Sequence, residues 1–219
     1  MMVNIIDMAQ AFILGFTIGV SAALVPGPMM LATVSISLKK GWKTGFYVFS
    51  GHSLVEITLI LLIIMGASTL IVKDILSNIA IIGGLAMTLF GMIIIRKAKE
   101  ALTMDINAAA GKLDISSGPV SAGILTSALN PTFLFWWLTA GTAIIMQQYL
   151  AGVLAVIAFI IGHWLADLGF LVSVSSTFAR GKQLVSRRAH QRLLYVCGSF
   201  LIAIGFFFII GHNNVAALI

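Results

Sequence analysis

The sequence predicts an all-α integral membrane protein of six transmembrane helices, built as two inverted three-helix repeats with the first and fourth helices broken at proline. Three observations carry this. The 219 residues are 60% hydrophobic and 9% charged, with a mean hydropathy of +1.09, whereas soluble domains carry about 25% charged residues. The apolar residues fall into six runs, each long enough for the roughly 20-residue helix that crosses a hydrocarbon core. One motif, Gly-His-x-Leu-x-acid, occurs twice, as GHSLVE at 51–56 and GHWLAD at 162–167.

The six runs are residues 8–38, 44–67, 75–95, 117–146, 150–178 and 193–211. Backbone N–H and C=O groups find no water in lipid, so each run is expected to be a helix. The period-2 alternation of a membrane barrel is absent. The start, Met1 to Asp7, lacks the basic stretch of a cleaved leader, so the first run is read as retained in the membrane.

Charge sets the expected orientation. Of thirteen basic residues, Lys39, Lys40 and Lys43 follow the first run, Arg96, Lys97, Lys99 and Lys112 follow the third, and Arg180, Lys182, Arg187, Arg188 and Arg192 follow the fifth. Only Lys73 lies on the other side. The positive-inside rule then places three basic loops in the cytoplasm and both termini outside, in a multi-pass protein of the cell (inner) membrane. Topology thus accounts for the net charge of +6, and nucleic acid is not an expected partner. Trp42 beside Lys43 reads as an interfacial anchor. The loops are too short to hold a soluble catalytic domain, no HExxH metalloprotease signature occurs, and the chain is not expected to be an enzyme.

The two motif copies sit in the second run of each half, 111 residues apart. The leading runs also correspond: Ala23-Leu24-Val25-Pro26 resembles Ala128-Leu129-Asn130-Pro131 at a separation of 105. Gly84 and Gly91 match Gly198 and Gly205 at 114. The chain therefore divides into a first three-helix repeat at 1–100, a cytoplasmic linker at 101–116 and a second repeat at 117–219. Three spans per half is an odd number, so the second half enters the membrane from the opposite face. Inverted repeats of this kind suit alternating access in secondary transporters.

The breaks lie in corresponding positions. Proline has no N–H and clashes with the carbonyl four residues back, so Pro26 and Pro28 are expected to free the carbonyls of Ala22 and Leu24. Gly27 is expected to let the chain turn, and Pro28 to begin a second half-helix. Asn130 should cap a helix whose first residue is Pro131. Paired breaks point to a transport site, where half-helix N-termini suit the carboxylate of a small zwitterion. The small-residue face Gly15, Gly19 and Ser21 to Ala23 reads as helix packing. Trp136 and Trp137, just beyond the second break, are expected to pack or face lipid rather than line a substrate path.

Glu56 and Asp167 are the acids expected inside spans, each four residues after a histidine, His52 and His163. That spacing puts each pair on one helix face. An acid at mid-membrane costs at least about 2.5 kcal/mol, while polar contacts between membrane helices return about 0.6 kcal/mol. The pairs are therefore expected to carry protons or cations rather than only to tie helices together. Two histidines and two acids could also hold a transition metal if both spans face one cavity. The single Cys197 reads as a small buried apolar residue.

With Pro26-Gly27-Pro28 in the first run, Asn130-Pro131 in the fourth and nearly the whole chain covered, the sequence resembles the LysE-type (lysine exporter) family of amino-acid exporters. The resemblance implies export of an amino acid or related metabolite against a proton gradient. It points to Pro26, Gly27, Pro28, Asn130 and Pro131 as the broken-helix site and to Glu56 as a functional acid. This sequence departs from the family pattern in pairing each acid with a histidine. The more distant electron-carrying relatives need a cysteine beside each break, where this chain has Val25 and Asn130.

The expected function is secondary transport: export of an amino acid or similar small metabolite from the cytoplasm by proton antiport. Glu56, Asp167, His52 and His163 couple protons, and the substrate binds at the two breaks. The alternative is export of a divalent or heavy-metal cation by the same four side chains. The leading reading requires no cofactor and no resident metal. The expected partners are the substrate, protons and the lipid bilayer; a homo-oligomer is compatible with the sequence, which leaves the oligomeric state open.

Overall fold

The computed structural model describes residues 5–25, 27–66, 73–100, 118–180 and 186–211. Every regular element among them is helical. Helix α1 (Ile5–Ala23) leads to the first break, and α2 (Pro28–Lys40) follows it. Gly41, at φ 83°, closes α2 by donating its N–H to Ser37 O at 2.9 Å. A side chain would be strained at that positive φ. Next come α3 (Thr44–Met65) and α4 (Lys73–Glu100).

The second half begins with α5 (Pro119–Ala128). After the second break lie α6 (Pro131–Trp136), a π-helical turn (Trp137–Gly141) and α7 (Thr142–Ala151). Then come α8 (Val153–Ala179) and α9 (Arg187–Ile210).

Among the described residues, four helices are long and apolar enough to cross a membrane: α1, α3, Ser77–Lys99 within α4, and α8. The pair Pro119–Ala128 and Thr132–Ala151, bent by 60°, makes a fifth if it counts as one span. The sixth expected run falls on α9, whose apolar stretch Leu194–Ile210 is shorter. The first expected run, 8–38, comprises two helices, α1 ending at Ala23 and α2 beginning at Pro28. Arg96, Lys97 and Lys99 lie in the last turns of α4 rather than in a loop. The linker at 101–116 lies outside the described residues.

Side-chain placement follows the solvent. Ile13, Leu61, Leu62, Leu85, Leu138 and Phe207 are exposed, while Ser21, Thr33, Ser37, His52, Glu56, Ser127, His163, Asp167 and Ser175 are buried. A soluble protein would invert that arrangement. Hydroxyls bond back along their own helices, as Thr17 does to Ile13 O, Ser21 to Thr17 O and Thr58 to Leu54 O. They therefore present no unpaired donor to lipid.

Three helix pairs make the main contacts: α1 with α8, α3 with α5, and α4 with α9. All three are glycine crossings. A Cβ at Gly15 would strike the Phe159 carbonyl, and one at Gly162 the Phe12 carbonyl. Likewise, Gly51 lies against the Val120 carbonyl and Gly123 against the Val48 carbonyl. Gly84 meets Gly205 and Gly91 meets Gly198. Side chains at these positions would force the backbones apart, and dispersion between close-packed helices is much of what holds a bundle together in lipid.

Candidate functional site

The first break is tighter than the proline argument predicts. Ala22 O is not left free: the chain tightens so that Val25 N–H reaches it at 3.3 Å, an i→i+3 bond. Gly27 also differs from expectation. Its φ of −141° and ψ of 179° are extended, a conformation open to any residue, and an added Cβ would meet only Val25 O at 3.7 Å. The turn does not require glycine; what Gly27 contributes is an empty position on a cavity wall. Pro28 does begin α2, with Leu31 N–H bonding to Gly27 O at 3.1 Å. Pro26 lies outside the described residues.

At the second break the expected cap is present. Asn130 Oδ1 accepts from Thr132 N–H at 3.0 Å, and Pro131 is the first residue of α6. The helix then widens by one residue per turn at Trp137–Gly141, where the Thr142 hydroxyl donates to Trp137 O five residues back. A Cβ at Gly141 would press into the Trp137 ring, so the absent side chain makes room for a buried indole.

The two His–acid pairs come together between α3 and α8. His52 Nε2 lies 3.2 Å from Glu56 Oε1 and 3.6 Å from Asp167 Oδ2. His163 Nε2 lies 3.2 Å from Glu56 Oε1 and 3.4 Å from Asp167 Oδ2. All four side chains are 5% exposed or less. Each imidazole thus faces the acid of its own helix and the acid of the other.

Sequence reasoning missed two supports of this quartet. Ser127 on α5 places its hydroxyl oxygen 2.7 Å from His52 Nδ1 and donates its hydrogen to Gly123 O at 2.8 Å. Trp164 donates its indole N–H to Glu56 Oε2 at 2.9 Å. Trp164 occupies the variable position of GHWLAD, and its buried N–H needed a partner, which was the available signal. Nothing local pairs Ser127 with a histidine 75 residues away.

Aromatic rings wall the quartet. His163 lies parallel to Phe159 and to Trp136, with centroids 6.0 Å and 6.4 Å away, and meets the edge of Trp137 at 5.8 Å. The Phe133 ring stands edge-on to His52 at 5.3 Å. Trp136 and Trp137 therefore contact the site and line its cavity, against the expectation of a purely packing or lipid-facing role.

That cavity, about 230 Å³, is lined by Gly27 and Pro28 at the first break, Asn130 and Thr132 at the second, and all four members of the quartet. Lys97 also lines it, a cation the sequence had assigned only to topology. The cavity can accept a small polar molecule between two helix breaks, with ionisable groups on one wall.

The LysE type translocator family matches residues 20–212. No curated protein and no solved structure gives a match. The match covers most of the chain, and the chain belongs to the LysE-type translocator family, whose members are membrane transporters of amino acids and other small molecules, not enzymes.

Proposed function

We propose that this translocator exports an amino acid or similar small metabolite from the cytoplasm by proton antiport, with the substrate held between the two helix breaks and Glu56 and Asp167 as the proton carriers. The observation that carries the reading is the single cavity shared by both breaks and both His–acid pairs. The N-terminus of α2 opens on it, where unpaired N–H groups and the helix dipole suit a carboxylate. The acids and aromatic rings opposite suit an ammonium group.

In the same reading the chain has six spans in two inverted repeats, residues 1–100 and 117–219 joined by 101–116, in the cytoplasmic membrane with both termini outside. The glycine crossings support it. Shifting α1 forward by 108 and α8 back by 111 turns the Phe12–Gly162 and Gly15–Phe159 contacts into Val120–Gly51 and Gly123–Val48, which are the contacts between α5 and α3. Contacts that map onto one another in this way are what duplicated halves would produce.

The test is transport in proteoliposomes, with amino acids and divalent cations offered with and without a pH gradient. Substrate-dependent proton flux in metal-free liposomes is expected. Glu56→Gln and Asp167→Asn should both abolish it, and normal rates with unchanged pH dependence in both variants would sink the coupling role. Reporter fusions at each loop test the topology, and a cytoplasmic N-terminus would remove the inversion. A second reading, export of a divalent cation, is favoured by the ligand atoms of His52, Glu56 and Asp167, which all lie within 4.8 Å of one another.

A further inference from the structure

We infer that Lys97 binds the carboxylate of the substrate, as the cationic wall of a cavity whose acidic wall includes Asp167. The inference rests on the metabolite-export reading of this cavity and deepens it by naming the side chain that selects a substrate for its carboxylate.

Three basic residues lie in the last turns of α4, and their surroundings differ. Arg96 and Lys99 are exposed, whereas Lys97 is partly buried and lines the cavity. The positive-inside rule accounts for basic residues at a helix end, but a cation that only marks orientation has no need to face a cavity. Phe90, Ile93, Ile94 and Lys97 all line it, at the i, i+3, i+4, i+7 spacing of one helix face. At 1.5 Å per residue that face runs about 10 Å, with Lys97 as its last member. Packing sets this end of α4 beside the first break. Leu24 shares a packed cluster with Ile94 and Ala98, and Val25 packs against it. Gly27, Pro28, Met29 and Met30 line the same cavity, so Lys97 brings a full positive charge to the region where the start of α2 offers a partial one.

The charges on the cavity wall are not matched to each other. A lysine within a membrane helix is costly without a partner. Among the described residues no acid forms an ion pair with Lys97, and Asp167 pairs with His52 and His163 alone. Asp167 Oδ2 is buried without a hydrogen bond. A cation and an anion thus border one cavity without meeting. A zwitterion between them completes both: its carboxylate accepts from the Lys97 ammonium, and its own ammonium donates to Asp167 Oδ2. In the two-repeat reading the cation has no twin, because the shift of 114 that sets Gly84 on Gly198 and Gly91 on Gly205 sets Lys97 on Gly211. The mirrored helix packing therefore does not call for a charge at this position.

The experiment measures binding to the full chain purified in detergent at pH 7. The probes are the twenty proteinogenic amino acids, each beside its carboxamide, which keeps the ammonium and removes the carboxylate charge. Thermal stabilisation identifies the amino acid that binds, and titration gives its Kd. The wild type should prefer that amino acid over its carboxamide by about 10–100-fold, the range for a hydrogen bond to a charged group. Lys97→Gln should abolish the preference by weakening the acid to the level of the amide, and Lys97→Arg should retain most of it. Lys97→Met, which keeps the apolar stem, serves the same comparison should Lys97→Gln misfold. Arg96→Gln and Lys99→Gln should match the wild type. An undiminished preference in folded Lys97→Gln or Lys97→Met, an equal loss in Arg96→Gln or Lys99→Gln, or no amino acid binding the wild type would overturn the inference. No step requires transport or a proton gradient. Binding that depends on Lys97 without flux in liposomes would sink the export reading alone, and flux indifferent to Lys97 would sink this inference alone.

Discussion

The GHSLVE and GHWLAD segments present the same chemistry to one centre and are braced differently behind it. His52 is held from the rear by Ser127 at 2.7 Å, but His163 Nδ1 is buried without a hydrogen-bond partner. The residue that the 108 shift sets against Ser127 is Gly19, whose backbone comes so close that a Cβ would stand 3.1 Å from His163 Nδ1. No hydroxyl fits there. The acids differ in the same sense. Glu56 accepts from Trp164 and from His163, whereas Asp167 Oδ2 has no hydrogen bond. At the motif position of Trp164 the first half has Ser53, which turns away to bond Ser50 O. Where His52 has the Ser127 hydroxyl, the His163 ring packs against Phe159, Trp136 and Trp137. The inward-facing groups match while their supports do not, so the first pair is the more costly to disturb.

The largest expected effect tests that asymmetry directly. Glu56→Gln sets an amide where two imidazoles and an indole N–H converge. Removing one partner from a buried charge cluster costs about 3–5 kcal/mol, and the thermal midpoint in detergent should fall accordingly. Asp167→Asn should lose transport as completely and lose less stability, since its Oδ2 faces the same two imidazoles without accepting a hydrogen bond. Equal destabilisation by the two would break the comparison. Trp164→Phe comes next: it keeps an aromatic edge for Phe49 and removes one hydrogen bond to a carboxylate, worth about 1.5–3 kcal/mol. A melt unchanged from wild type would mean that the indole does not brace Glu56.

Gly51→Ala and Gly162→Ala address the crossings rather than the quartet. Each puts a methyl against a facing carbonyl, and overpacking costs about 1–3 kcal/mol. Mirrored contacts should give similar losses, and a large difference between the two melts would undermine the correspondence of the halves. Asn130→Ala removes the cap on Thr132 N–H at about 0.5–2 kcal/mol; stability unchanged from wild type would mean that the half-helix start is held by packing alone. The smallest effect on stability is expected for Gly27→Ala, whose backbone is extended and whose Cβ has room. Its added methyl narrows the cavity, so any effect should appear as a raised KM for transport with an unshifted melt.

The breaks were legible because proline and asparagine act on their own turn of chain: Asn130 caps and Pro28 starts a helix as their chemistry demands. The in-helix pairs were legible because positions four apart share a face of any helix. The tightened turn at Ala22 and the extended Gly27 were missed because proline rules say what is forbidden, not which allowed conformation the neighbours select. The π turn was missed because it depends on seating the Trp137 ring against Gly141.

Hydropathy and periodicity are sums over neighbours in the chain, and they determined by themselves the helical class, the membrane, the apolar runs, the two breaks and the two His–acid pairs. Tertiary structure alone decided that the pairs meet, that Trp136 and Trp137 face them, and that Ser127 and Trp164 reach His52 and Glu56 across 75 and 108 residues. Those contacts depend on how closely the glycine crossings let α3, α5 and α8 approach, and that distance is a property of pairs of helices that no single segment contains.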